Sequence, residues 1–184
     1  METGLGTAVY TPTKQRALGK LQFRAKDHAY ILEGMRILSV TQAIDPLLPY
    51  DGLPREVREE ALQRGAVVHR LTETWDEAIL VGDPVAGAET ANDADETGLQ
   101  GYLQAWIAFR EETGIEIVAL EQRVFHSKLR YAGTLDRLIR FPDRPVSLLE
   151  IKTGVLQPEY ALQTAAYLAA ANEGRTCNKV VGRH

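Results

Sequence analysis

The chain has 184 residues and a net charge of −4, with 45% hydrophobic and 25% charged residues, the balance of an ordinary soluble protein of one domain. No apolar run approaches the roughly 20 residues that span a bilayer, and the first residues carry no signal-peptide pattern. The single cysteine, Cys177, excludes an intramolecular disulfide and points to a reducing cytoplasm.

From Thr11 to Lys26 the chain carries Lys14, Arg16, Lys20, Arg24 and Lys26 and no acidic residue. Such a segment suits solvent or a phosphate-facing surface. His28 to Val40 holds two strand-like runs around Glu33-Gly34, a hairpin signal. Ser39 or Thr41 can cap a short helix in SVTQAID. PYDGLPRE is turn chemistry, and Pro54 suits the first turn of a helix. Val57, Ala61, Gly65, Val68, Thr72 and Trp75 recur at spacings of three and four, predicting a helix from about 55 to 79. VGDPVAGAETANDADETG is small, acidic and aperiodic, and it reads as a solvated loop. Leu99, Tyr102, Leu103, Trp106 and Phe109 share one face of the next helix, which Gly114 ends.

The character then changes. IEIVALEQRVFHS is rich in β-branched residues, and Lys128–Arg140 and Val146–Lys152 read as two more strands. PEYALQTAAYLAAANEG is helical. From Glu121 to Lys152 seven basic residues stand against four acidic ones. There is no internal repeat. Helices, three strands and a helix predict an α/β or α+β domain on a sheet with an early antiparallel part. Within that single domain, 1–53 forms a hairpin and arm, 54–114 a helical segment and 115–184 the core.

Asp136, Glu150 and Lys152 stand among Leu, Ile and Val in these strands, where an unpaired charge is costly. Strand alternation puts Glu150 and Lys152 on one face, and a hairpin sets Asp136 beside Glu150. Two adjacent carboxylates repel and raise a pKa. A divalent cation such as Mg²⁺ removes the conflict, and Lys152 can hold a water or stabilise developing negative charge. These parts suit metal-assisted attack on a phosphodiester. A salt bridge on a wet sheet face, Asp136–Lys152 or Asp136–Lys128, is the other reading of the same residues.

Gly133-Thr134-Leu135-Asp136, then Leu148-Leu149-Glu150-Ile151-Lys152-Thr153-Gly154, then Gln163-Thr164-Ala165-Ala166-Tyr167 resemble the PD-(D/E)XK nuclease superfamily. They look in particular like its RecB-type branch, with Cas4-like, phage and mitochondrial single-strand exonucleases, whose pattern is G-x-x-D, (D/E)-x-K-T and Q-x-x-x-Y. The likeness covers Glu121 to Asn172, and ILSVTQAID resembles an N-terminal segment of phage-type members. It implies a restriction-endonuclease-like core: a central mixed sheet flanked by helices, with an N-terminal β-hairpin and helical segment. It also implies one or two Mg²⁺ or Mn²⁺ ions on Asp136, Glu150 and the backbone carbonyl of Ile151, with Lys152 as the catalytic lysine. Gln163 and Tyr167 would orient the nucleic-acid backbone and the catalytic strand. Gly65-x-x-x-His69 resembles the helix whose histidine reaches the metal, and imidazole suits Mn²⁺ better than Mg²⁺; a structural or exposed histidine is the alternative. Glu121 stands where the family has a glutamate that assists the metal or the attacking water; pairing with Arg123 or Lys128 is the alternative. His28 and His126 read as surface residues.

The chain departs from the pattern in places. No proline precedes Asp136, and no helicase motif is present. A lone cysteine excludes the iron–sulfur cluster of Cas4-like members, which needs several thiolates. The chain stops at NKVVGRH, where the family core continues with another strand that Lys179 to Gly182 would begin. The function implied is a metal-dependent DNA nuclease, an exonuclease on single strands or DNA ends in recombination, repair or replication. It would be bacterial or phage-encoded and intracellular, with recombination or replication proteins as further partners and no membrane. The alternative is a catalytically incomplete, nuclease-like DNA-binding or adaptor module, against which Lys152 argues. An acid–base enzyme of small substrates lacks support from any phosphate loop or nucleophile elbow.

Overall fold

The computed structural model describes residues 21–47, 54–155, 157–173 and 182–183. It opens with a strand that no periodicity announces, β1 (Leu21–Arg24), only four residues long. The hairpin expected around Glu33-Gly34 follows as β2 (Ala29–Leu32) and β3 (Met35–Ser39). Glu33 and Gly34 have φ of +53° and +80°, the left-handed pair that lets a two-residue turn follow the strand twist. Ser39, rather than Thr41, caps the short helix α1 (Val40–Ile44). Its Oγ accepts from the Gln42 N–H at 3.0 Å while its own N–H donates to Gln42 Oε1 at 3.1 Å, a capping box.

The long amphipathic helix is α2 (Arg55–Val81), with Pro54 just before its first turn. The acidic stretch expected as a loop is instead a helix, α3 (Pro84–Glu96). Asp83 caps it, its Oδ1 accepting from the N–H groups of Val85 and Ala86 at 3.0 and 3.1 Å, and Pro84 fits the first turn. Its buried face is Gly87, Thr90 and Ala94, at helical spacing but too small and polar to show as an apolar stripe. Gly87 lies against the Trp75 ring, where an added Cβ would stand 3.6 Å from Cζ3. Helix α4 (Gln100–Thr113) ends at Gly114 as expected, in left-handed conformation. No described helix is long and apolar enough to cross a membrane.

Three antiparallel strands follow, β4 (Glu116–His126), β5 (Tyr131–Arg140) and β6 (Val146–Leu149), then α5 (Tyr160–Asn172) and the short β7 (Gly182–Arg183). The second strand begins later than expected because the Arg130 N–H turns back to the His126 carbonyl at 2.8 Å. The third ends at Leu149, so Glu150 and Lys152 lie just past it. Of the strand expected from Lys179, only Gly182 is described, paired parallel with β6; 179–181 and Cys177 lie outside the described residues. The sheet order is β1-β2-β3-β5-β6-β7, with β4 also on β5. Pairing is parallel at β3/β5 and β6/β7 and antiparallel elsewhere. This is the expected α/β class, a central mixed sheet flanked by helices.

Alternate residues of the central strands serve different layers. Leu138 and Leu148 pack with Val40 of α1 and Tyr167 of α5. Ile139 and Leu149 pack with Trp106 of α4. A third cluster, Leu71, Ala94 and Leu103, joins α2, α3 and α4.

One charged contact runs through this layer. Arg137, fully buried in β5, donates from Nε to Asp76 Oδ2 at 2.8 Å and from Nη2 to Thr72 Oγ1 at 3.2 Å. Asp76 is buried too, and its Oδ1 accepts from Trp106 Nε1 at 3.0 Å and Arg110 Nη1 at 2.6 Å. Asp76→Ala strands the Arg137 guanidinium in the core. We expect a loss of about 3–5 kcal/mol, read by urea unfolding; a loss within experimental error would mean that water reaches this pair.

Candidate active site

The site grows out of strand register. β4 and β5 keep one register from His126↔Tyr131 back to Ala119↔Leu138, broken only at Glu121, which makes no ladder pair with Asp136. The pairs Leu120↔Arg137 and Gln122↔Leu135 bracket Glu121 opposite Asp136. On the other edge of β5, Arg137↔Leu149 is the last paired step, and the next residues are Asp136 and Glu150. Three carboxylates thus form one row across three chain segments, at strand spacings of about 4.8 Å. Glu121 has φ +43°, a left-handed conformation that costs a non-glycine residue about 1–2 kcal/mol.

Each carboxylate has its own partners. Asp136 Oδ2 accepts from the Ile151 N–H at 2.7 Å, and Oδ1 lies 3.3 Å from His69 Nδ1. Glu150 Oε1 accepts from the Asp136 N–H at 3.2 Å. Its Oε2 accepts from Lys152 Nζ at 3.4 Å and Gln163 Nε2 at 3.3 Å. Gln163 Nε2 also reaches Tyr167 Oη at 3.3 Å, and Lys152 Nζ sits 5.1 Å from the centre of the Tyr160 ring. Glu121 Oε1 lies 3.3 Å from Arg137 Nη1, which also donates to the Asp136 carbonyl at 2.9 Å.

The salt-bridge alternatives are therefore not the ones formed. Asp136 pairs with His69 rather than Lys152 or Lys128, and Glu121 pairs with Arg137 rather than Arg123 or Lys128. Asp136, Glu150, Ile151, Lys152, His69, Gln163 and Tyr167 converge on one cleft of about 580 Å³, and Glu121 stands behind it. Ligand atoms of His69, Glu121 and Asp136 lie within 4.8 Å of one another. Glu150 is outside that group, held by Lys152 and Gln163. His28 is exposed, as expected, but lines the cleft. His126 is half-buried, 3.4 Å from Glu173, where a surface residue was expected.

Sequence reading missed the support behind the row. Asp76 follows Trp75 on the apolar stripe of α2, and Arg137 follows Asp136 in an apolar strand. A charge on each of two apolar faces was the available signal. The glycine of the G-x-x-D motif also has a steric reason. The Cε1 edge of the Tyr167 ring points at Gly133, and a Cβ there would clash with Tyr167 Cε1.

Burial and the neighbouring Asp136 push the Glu150 carboxyl up to about 8. Burial, Asp136 and Glu73 push Glu121 up to about 7. Burial lowers the His69 pKa, but the hydrogen bond and charge of Asp136 outweigh it, and the net shift is upward. With all three carboxyls ionised, the site would carry more negative charge than its one adjacent ammonium, Lys152, offsets. Carboxylate oxygens with one imidazole form a donor set for a hard divalent cation, and His69, Glu121 and Asp136 are close enough to share one.

A family model for the PD-(D/E)XK nuclease superfamily matches residues 42–183, most of the chain, and the chain belongs to that superfamily. Its members are metal-dependent nucleases, so the class of chemistry is phosphodiester hydrolysis with a divalent metal and DNA as substrate. A comparison with curated proteins finds no match.

Two expectations follow from this geometry. Gly133→Ala must displace the Tyr167 ring, at a cost of about 1–3 kcal/mol in urea unfolding; unchanged stability would mean the ring has room to move. The second concerns pH. Folding raises the pKa of Glu121, Glu150 and His69, so the folded state holds their protons more tightly than the unfolded chain. The stability they confer is present at low pH and lost as pH rises from the ordinary glutamate value of 4.5 through about 8. In EDTA the melting temperature should fall across that range, and a divalent cation should flatten the slope. A melting temperature that rises over the same range in EDTA would contradict this charge balance.

Proposed function

We propose that the protein is a RecB-type, Mg²⁺- or Mn²⁺-dependent deoxyribonuclease, an exonuclease acting on single strands or DNA ends in recombination, repair or replication. The observation that carries the reading is the meeting of Asp136, Glu150, His69 and Lys152 in one cleft, with the Glu121 carboxylate next to Asp136 and His69. Asp136, Glu150 and His69 would hold the metal, and the Ile151 carbonyl would complete the set. A bound divalent ion supplies Lewis-acid activation of water and offsets charge on the phosphoryl oxygens.

The protein's own groups do the rest. Lys152 is held at Glu150 and over the Tyr160 ring, which fixes its ammonium at the cleft floor. There it orients the attacking water and stabilises negative charge gathering on the phosphate. Glu121, with a pKa near neutrality, suits a base that takes the proton of that water. The water oxygen bonds to phosphorus and the bond to the 3′-oxygen breaks. Gln163 and Tyr167 keep Glu150 in place and present polar edges to the nucleic-acid backbone.

The test is cleavage of end-labelled single- and double-stranded DNA with Mn²⁺, with and without EDTA. Wild type should shorten the labelled strand from an end, and Lys152→Ala should slow it by about a hundredfold or more. Isothermal titration should show Mn²⁺ binding that Asp136→Ala abolishes. Equal cleavage by Lys152→Ala, or none by wild type on either substrate, overturns the reading. DNA binding without cleavage would leave a nuclease-like binding or adaptor module.

A further inference from the structure

The cleft is lined by three cationic side chains among the described residues, Arg58, Arg64 and Lys152. Arg58 Nη2 is neutralised by Asp45 Oδ1 at 3.2 Å, and Lys152 by Glu150 at 3.4 Å. Arg64 differs. Its Nε is buried and has no hydrogen-bond partner among the described residues. A buried guanidinium N–H without an acceptor is unfavourable, and the geometry of the group matches two oxygens of a phosphate side by side. The next residue, Gly65, stands against the segment after Lys152, with its Cβ position 3.7 Å from Thr153 Oγ1. Arg64 therefore stands on α2 beside the chain that carries the catalytic lysine. Val57 and Leu62 of the same helix line the cleft and are 49% and 63% exposed.

We propose that Arg64 anchors the substrate, binding a backbone phosphate next to the one that is cut. The assignment rests on the nuclease reading for the identity of the ligand. Its physical need is clear from the same geometry. The carboxylate row repels an anionic strand, and Arg64 is a cleft cation with no carboxylate partner among the described residues. Binding there holds the strand and leaves Lys152 to the phosphate that is cut.

The experiment measures binding of a fluorescently labelled single-stranded oligonucleotide by anisotropy, in EDTA so that nothing is cut. Salt is varied, and wild type, Arg64→Ala, Arg64→Lys and Arg70→Ala are compared. Arg70 is an exposed residue of the same helix that does not line the cleft. Arg64→Ala should weaken binding on the order of tenfold, to the same degree for different base sequences. Its plot of log affinity against log salt should be shallower by about 0.7. Arg64→Lys should recover part of the affinity, having the charge but not the fork, and Arg70→Ala should match wild type. With Mn²⁺, Arg64→Ala should raise KM and leave kcat within about twofold.

A folded Arg64→Ala protein with wild-type affinity and salt slope overturns the anchor, as does an equal loss in Arg70→Ala. Thermal melting verifies folding. If the alanine variant is unfolded, Arg64→Gln, which keeps the stem, replaces it under the same criteria. The two readings separate cleanly. Cleavage by wild type with KM unchanged in Arg64→Ala removes the anchor alone. Weakened binding in Arg64→Ala with no cleavage by wild type removes the catalytic reading alone.

Discussion

The pairing of Arg137 with Asp76 is the contact on which the rest of the site depends. Arg137 is the residue after Asp136 on β5, and Asp76 lies two helical turns beyond His69 on α2. One buried ion pair therefore fixes strand against helix, and in doing so sets an imidazole facing a carboxylate. The same guanidinium touches Glu121 and the Asp136 carbonyl, so it also ties β4 to the row. A buried ion pair adds little net stability, because desolvation offsets most of the attraction. What it confers is geometry. Asp76 meets its three hydrogen-bond donors, Trp106, Arg110 and Arg137, only if α2, α4 and β5 meet at one relative position, and Thr72 of α2 holds the same Arg137.

The carboxylate row works against stability. Burial first, and then repulsion from Asp136, raises the pKa values of Glu121 and Glu150. The left-handed backbone at Glu121 adds local strain. Strain and repulsion concentrated at one point, within a fold otherwise well paired, mark a place where geometry serves chemistry. Lys152 relieves part of the repulsion from one end of the row and Arg137 from the other. The middle, at Asp136, is where added positive charge does most.

Much of this was legible in the residues. Glu150-x-Lys152, the preceding Asp136 and the following Gln163 and Tyr167 do converge: Gln163 and Tyr167 by the i, i+4 helical step, Glu150 and Lys152 although the strand expected to carry them stops at Leu149. The long helix and the hairpin were legible too. Helix α3 was not, since its buried face is Gly87, Thr90 and Ala94, which carry no hydropathy signal. Strand β1 was too short to show a period. The partners of Asp136 and Glu121 were also out of reach. Lys152, Lys128 and Arg123 are near in sequence, but the groups that pair are His69, from a helix far upstream, and Arg137, the residue after Asp136 on β5. Proximity across a fold is set by packing, which one-dimensional periodicity does not encode.

The β4 strand carries one irregularity, a shift of register between Ile117 and Ala119. Every pair from Ala119 to His126 is counted from the tight turn at Ser127–Arg130, and Glu121 falls within that stretch. The pairs before the shift, Glu116↔Arg140 and Ile117↔Ile139, are counted from the opposite end. The extra residue at Val118 acts as a slip joint between the two counts. Changes of length where the helical layer enters the sheet can be absorbed there, without moving Glu121 off Asp136. The length of the connection between α4 and β4 is thereby uncoupled from the register of the acidic row.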